Sequence, residues 1–204
     1  MKVVAVSQRV DRYPQSNESR DAVDQRLITF LNYAGFIPIP VPNMIKSSSN
    51  HFSGGIYELN RWLAAVEPAA IVLSGGNDIG QCLERDLTEE RLIGYSSENN
   101  KPLLGICRGM QMLAHWAGAN LKPVFGHVRT RHRLIGQIHN EVNSYHNFSV
   151  STCPDGFEVL AKSEDGEIEA IRHRSLRWEG WMWHPEREIN IPINDIQRLK
   201  ELFL

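Results

Sequence analysis

The chain has 204 residues, 42% of them hydrophobic and 23% charged, with a formal net charge of -2. This is an ordinary globular composition, long enough for one domain with a sizeable core, and it offers no global basic surface to nucleic acid or to an anionic membrane. No stretch approaches the roughly 18 apolar residues of a spanning helix, the start MKVVAVSQRV has no small-residue cleavage site, and three distant cysteines (Cys82, Cys107, Cys153) argue against a disulfide framework or a CxxC site, so a reducing, cytoplasmic setting is expected.

Val3 to Val6 is a short apolar run suited to a buried strand. Residues 7–20 read as a polar loop carrying Arg9, Arg12 and Arg20. Val23, Leu27, Phe30, Leu31 and Ala34 then recur at helical spacing, with Gly35 where a C-cap glycine belongs. FIPIPVP reads as an extended segment whose prolines favour a sheet edge. A helix is predicted around Tyr57 to Val66, and the serine run 47–49 is too short to be a linker. AAIVLSGG and KPLLGI read as buried strands, the second feeding a helix, CRGMQMLAHWAG, that Gly118 closes. Beyond residue 120 the pattern changes to strands, with turns at Asp155-Gly156 and Asp165-Gly166, and NDIQRLKELFL closes the chain as a helix with Ile196, Leu199 and Phe203 on one face. Asp21, Asp24 and the acidic run Glu84 to Glu90 read as solvated helix faces. The alternation predicts an α/β fold: a mostly parallel central sheet flanked by helices, with an antiparallel C-terminal extension, in a single domain over 1–204.

Cys107 stands between Gly105 and Gly109, after an apolar strand and before a helix. This is the grammar of a nucleophile elbow, in which a sharp turn lifts the side chain clear of the strand end. The helix N-terminus beside the sulfur favours a thiolate. The competing reading is a packed core thiol.

A thiolate nucleophile wants a base, and the base wants an orienting carboxylate. WMWHPERE offers His184 and Glu186, two residues apart across Pro185, and an extended segment would put both side chains on one side. LSGGND, with Gly75 and Gly76, ends a strand where backbone N–H groups could face an oxyanion, the N–H of Arg108 being the second donor. Gly75-Gly76 reads equally as a tight turn.

Together, LSGGND, PLLGICRGMQ, VNSYHNFSV and the distal WHPERE resemble, in that order, the class I (triad-type) glutamine amidotransferases. Within them the chain is most similar to the γ-glutamyl hydrolase branch, which includes γ-glutamyl-γ-aminobutyrate hydrolases. The MWHxERE ending, EAIRHR and the compact length look more like the γ-glutamyl-CDP-amidate hydrolases of capsule phosphoramidate biosynthesis. Met182 stands where family members commonly have a glutamine. The resemblance implies a flavodoxin-like sheet and a triad of Cys107, His184 and Glu186. It implies an oxyanion hole from the backbone of Gly76 and Arg108, with Gly75 binding substrate. It also implies that Gln111 and the backbone of Asn147 and Phe148 grip the amino-acid end of a γ-glutamyl group. The implied chemistry is amide hydrolysis through a thioester, with no metal or organic cofactor.

GHVRTRHRL, residues 126–134, concentrates basic residues in a chain of net negative charge. His127, Arg129 and Arg131, alternating on an extended segment, could face a phosphate. The segment reads equally as a solvated strand or as one pairing with another protomer. His127, His132, His139 and His146 match no standard zinc spacing and have no carboxylate cluster with them, so no metal site is expected. Three functions stay open. The first is a γ-glutamyl amide hydrolase acting on a small molecule, and the second a glutaminase working with a separate synthetase partner. The third is a thiol-based binding module, against which His184 and Glu186 count. A homodimer is left open.

Overall fold

In the computed structural model, which describes residues 1–43, 53–190 and 192–204, the apolar run Lys2–Val6 forms strand β1 inside the main sheet. The serine run 47–49 lies outside the described residues. Segment 7–20 is not a loop: β2 (Arg9–Tyr13) and β3 (Glu18–Ala22) pair antiparallel. Among the described residues the ribbon pairs only with itself and is mostly exposed, so it carries no apolar alternation that would have revealed it. Helix α1 (Gln25–Tyr33) starts where the Asp24 side chain accepts from Arg26 N–H at 3.0 Å, and Gly35 leaves it at φ +88°. β4 (Phe36–Pro40) lies at the sheet edge, where prolines lose no ladder bond. Then come α2 (Ser53–Val66), β5 (Ala70–Leu73), α3 (Leu83–Glu98), β6 (Leu103–Ile106) and α4 (Arg108–Trp116).

The second half is strand-rich: β7 (Leu121–Pro123), β8 (Val128–Arg133), β9 (Ile135–Gly136), β10 (Glu141–Tyr145), β11 (Phe148–Val150), β12 (Phe157–Lys162), β13 (Ile168–His173) and β14 (Trp178–Trp181). A 3₁₀ turn at Pro185–Arg187 and helix α5 (Ile193–Phe203) end the chain. The main sheet has eight strands in the order β4-β1-β5-β6-β14-β13-β12-β9. Its first five strands are parallel, and the last three join antiparallel. The antiparallel extension therefore continues the same sheet, and β14 returns to lie parallel to β6. Two further antiparallel pairs, β8–β10 and β7–β11, stand apart from the main sheet.

Alternate residues of each strand enter opposite cores. Val4, Val6, Val72, Leu104 and Ile106 pack with Leu27, Phe30 and Leu31 of α1 and with Leu199 and Phe203 of α5. Ala5, Ile71, Leu73 and Leu103 pack instead with Leu59 and Leu63 of α2, Leu92 and Ile93 of α3 and Met110 and Leu113 of α4. Helices thus cover both faces, which is why the inner strands read as unbroken apolar runs.

Of the acidic residues expected on solvated faces, Glu90 is exposed, but Asp21, Asp86 and Glu89 have other roles. Asp21 accepts from both the backbone and the side chain of Asn43, at 2.9 and 2.7 Å. Arg85, Asp86 and Glu89 on α3 are buried beneath the start of α4. They are charged side chains that pair with one another and with Arg108, so their polarity mimics an exposed face in sequence.

Candidate active site

Cys107 joins β6 to α4 at φ +51° and ψ -107°, a backbone conformation that costs a non-glycine residue about 1–3 kcal/mol. The elbow's strain therefore sits on the cysteine. Its glycines serve close approach: a Cβ on Gly105 would lie 2.5 Å from Gly109 O, and one on Gly109 would lie 2.1 Å from Leu73 O. Cys107 N–H donates to Trp181 O at 2.7 Å, which ties the elbow to β14.

That tie brings His184, three residues beyond β14, to the same cleft as the Cys107 sulfur, close enough for each charge to act on the other. His184 Nδ1 lies 2.6 Å from Glu186 Oε1. Glu186 is not on an extended segment, as its spacing suggested, but in the 3₁₀ turn. Asn143 clamps the imidazole's backbone from both sides, accepting from His184 N–H at 3.0 Å and donating to His184 O at 2.7 Å. Gly75 lies under the ring, where a Cβ would stand 2.6 Å from Cε1. Burial alone would push the Cys107 thiol up, but the charge and hydrogen bond of His184 outweigh it and hold the thiol below its ordinary value. Burial likewise disfavours His184 imidazolium, yet the Cys107 and Glu186 charges raise it to about 9. Both directions favour a thiolate–imidazolium pair over a neutral thiol and imidazole.

Arg108 N–H faces the Cys107 sulfur, while the Arg108 guanidinium turns down onto Asp86 and Glu89. Arg85 donates to Ser74 O at 2.7 Å, Gly75 O at 3.1 Å and Glu89 Oε1 at 3.0 Å. Because a trans peptide points its C=O and N–H in opposite directions, holding Gly75 C=O on Arg85 turns Gly76 N–H away from Arg85. Gly76, at φ +128°, lines the cleft. Burial lowers both guanidiniums, Arg85 to about 10 and Arg108 to about 9, so both stay charged at neutral pH.

The cleft above the sulfur has a volume of about 120 Å³. It brings together Cys107, His184, Gly76, Arg108, Gln111 and Asn147 of the expected set. Phe148 stands behind it, its carbonyl accepting from Gln111 Nε2 at 2.8 Å and from His146 Nδ1 at 3.0 Å. Gln111 also lies 3.8 Å from the sulfur of Met182. His127, Arg129 and Arg131 are not on the cleft wall. His127 is buried, Arg129 is exposed at φ +56°, and Arg131 bonds Glu141 at 2.6 Å and Glu188 at 3.1 Å.

Sequence reasoning missed Arg85, Glu89, Asn143, Tyr145 and Arg187. The Arg85–Glu89 spacing of four residues was a usable signal for a paired helix face. Tyr145 stands edge-on to His184 at 5.8 Å, and Arg187 covers the Tyr145 ring at 4.9 Å. Both line the cleft.

The family model for class I glutamine amidotransferases matches residues 43–191. The γ-glutamyl-CDP-amidate hydrolase of Campylobacter jejuni is 37% identical over 140 residues, 66% of this chain and 69% of that protein. A glutamine-hydrolyzing GMP synthase subunit of Thermococcus kodakarensis is 31% identical over 137 residues, 61% of this chain and 69% of that one. The crystal structure of a GMP synthase subunit protein from Thermoplasma acidophilum superposes with a TM-score of 0.73 over 100% of this chain and 94% of that chain, at 21% identity. Elbow, sheet order and family match agree, and the chain belongs to the class I glutamine amidotransferase family.

Proposed function

We propose that the protein hydrolyses a γ-glutamyl amide through a thioester on Cys107. The observation that carries this reading is the strained, glycine-framed Cys107 sharing one small cleft with a histidine whose Nδ1 meets Glu186 at 2.6 Å. The Cys107 thiolate attacks the δ-carbonyl carbon, and the carbonyl π pair moves onto oxygen, which the N–H groups of Gly76 and Arg108 receive. As the C–N bond breaks, His184 imidazolium gives its proton to the departing nitrogen, leaving a glutamyl thioester. His184, now neutral, takes a proton from water as the water attacks. The intermediate collapses to glutamate and returns the thiolate.

The small cleft fits a glutamyl group, and Arg187 supplies positive charge at its wall. The amine leaves toward solvent. Similarity to the Campylobacter jejuni hydrolase supports a phosphorylated leaving nitrogen, γ-glutamyl-CDP-amidate or a related nucleotide amidate. A second reading, a glutaminase passing ammonia to a separate synthetase, is favoured by similarity to the Thermococcus kodakarensis GMP synthase subunit. Glutamate release from a panel containing γ-glutamyl-CDP-amidate, γ-glutamyl-γ-aminobutyrate and free glutamine separates these readings. Selective turnover of the nucleotide amidate by wild type, absent in Cys107→Ser, supports the first. Preferential turnover of free glutamine supports the second.

A further inference from the structure

Four buried side chains beside the cleft converge on one point, with both Glu169 oxygens and His132 Nε2 left without a partner of hydrogen-bond geometry. They are His127 just before β8, His132 on β8, His146 between β10 and β11, and Glu169 on β13. His127, His146 and Glu169 are 2%, 3% and 0% exposed, and His132 is 9% exposed. Glu169 Oε1 lies 3.5 Å from His127 Nδ1, 3.8 Å from His132 Nε2 and 3.3 Å from His146 Nε2. His127 Nδ1 and His146 Nε2 are 3.2 Å apart. Neither Glu169 oxygen, nor His132 Nε2, has a partner with hydrogen-bond geometry.

The outer faces of two rings fix where their protons sit. His127 Nε2 meets Asp165 Oδ2 at 2.8 Å, and His146 Nδ1 meets Phe148 O at 3.0 Å. With both rings neutral and both outer nitrogens donating, His127 Nδ1 and His146 Nε2 each point a lone pair inward, at each other and at a carboxylate. Four electron-rich atoms facing one point in a water-excluded space repel. One added proton relieves a single edge of the arrangement; one cation relieves all of them. A tetrahedral zinc ion with bonds of about 2.0–2.1 Å has ligand-to-ligand edges of about 3.3 Å. Four of the six ligand-to-ligand edges are 3.2 to 3.8 Å and all six lie within 4.8 Å, so a modest contraction about His132 would bring the set to that size. A histidine ligand backed by a carboxylate and another by a backbone carbonyl is the outer arrangement that holds imidazole ligands in their metal-binding tautomer.

We infer that His127, His132, His146 and Glu169 form a closed structural site for a divalent transition-metal ion of the zinc type. Imidazole-rich sets favour such ions over magnesium or calcium. With all four positions taken by protein and little solvent access, the ion ties β8, the β10–β11 connection and β13 together rather than binding substrate. His146 lines the cleft between Tyr145 and Asn147, so the ion would hold that wall in place. The histidine spacing looked unlike a metal site because the fourth ligand comes from a distant strand. His139, expected with the others, instead caps Gly136 O at 3.2 Å on the surface.

The test uses the full chain in a Cys107→Ser background, which removes the other metal-seeking pair. The protein is loaded with zinc or cobalt and passed through a desalting column, and metal content is measured by mass spectrometry. Close to one ion per chain is expected, with cobalt giving the visible absorption of a tetrahedral site without sulfur-to-cobalt charge transfer. His132→Gln and Glu169→Gln should each retain roughly tenfold less metal or below, and Asp165→Ala should bind it about 10–100-fold more weakly, since it removes only an outer partner. His139→Ala should bind as before. Adding zinc should raise the melting temperature of the parent chain and not of Glu169→Gln. If the folded parent retains no ion, or His132→Gln and Glu169→Gln retain as much as His139→Ala, the inference is overturned. If either variant fails to fold, retention by the parent and the Asp165→Ala affinity decide the matter.

Discussion

His184 and Glu186 meet through Nδ1 and Oε1 at 2.6 Å because Pro185 starts a 3₁₀ turn that tucks the carboxylate under the ring. Pro185 fixes its own φ and has no N–H to satisfy, so it suits the first position of such a turn. The carboxylate's charge then acts on the imidazole that also faces Cys107.

That coupling gives a signed pH prediction. The Cys107 thiol is held low and His184 is raised to about 9, so the thiolate–imidazolium pair persists between the two. Turnover should rise as Cys107 loses its proton, below the ordinary thiol range, and fall as His184 loses its proton near pH 9. Glu186→Gln removes a negative charge that raises His184, so the alkaline limb should move to lower pH. A kcat/KM profile with an unmoved alkaline limb would separate Glu186 from the base.

Two glycines should respond differently to alanine. At Gly109 the new Cβ would meet Leu73 O at 2.1 Å, so Gly109→Ala should prevent folding or destabilise it severely. Gly118 has φ +87° and open space around it, so Gly118→Ala should cost only about 1 kcal/mol. Urea unfolding reads both, and similar costs would contradict the packing described for the elbow.

What was legible in the sequence follows the same division between local and distant partners. GICRG announced the elbow, because strand, glycine spacing and helix are all local. The edge strand β4 and the C-cap at Gly35 were readable for the same reason. What stayed hidden depends on partners far along the chain. Asn143 matters only because β10 brings it to His184, and Glu169 only because β13 passes the three histidines. Arg85, Asp86 and Glu89 looked solvated because a buried ion-pair network and a wet helix face share one composition. The basic run 127–133 suggested phosphate by its local charge, but Arg131 is neutralised by Glu141 and Glu188 from other segments.

Glu89 sits at 0% exposure between Arg85 and Arg108 and also accepts from Ser7 Oγ at 2.7 Å. Glu89→Gln leaves two buried guanidiniums short of a charge and should cost on the order of 3–5 kcal/mol. Glu58→Gln, which breaks an exposed pair with Arg61, should cost at most about 1 kcal/mol. Denaturant titration of the two variants gives the comparison, and equal losses would mean that the network under the elbow is not what holds it.

Arg187 lines the cleft, whereas Arg131 is held by two carboxylates outside it. Loss of a charged hydrogen bond is worth about 1.5–3 kcal/mol, so Arg187→Ala should raise KM for γ-glutamyl substrates roughly 10–100-fold. Arg131→Ala should lower turnover of phosphorylated and unphosphorylated substrates alike, by less than about tenfold. A selective loss on the nucleotide amidate in Arg131→Ala would instead return the phosphate to β8.

The central claim is a covalent glutamyl thioester on Cys107. Acid quenching during turnover of a γ-glutamyl amide, followed by peptide mass spectrometry, tests it most directly. The account predicts one glutamyl group on the peptide containing Cys107, released by hydroxylamine and absent from Cys107→Ser, with Cys82 and Cys153 unmodified. Steady glutamate release with no adduct on Cys107, undiminished in Cys107→Ser, would contradict it.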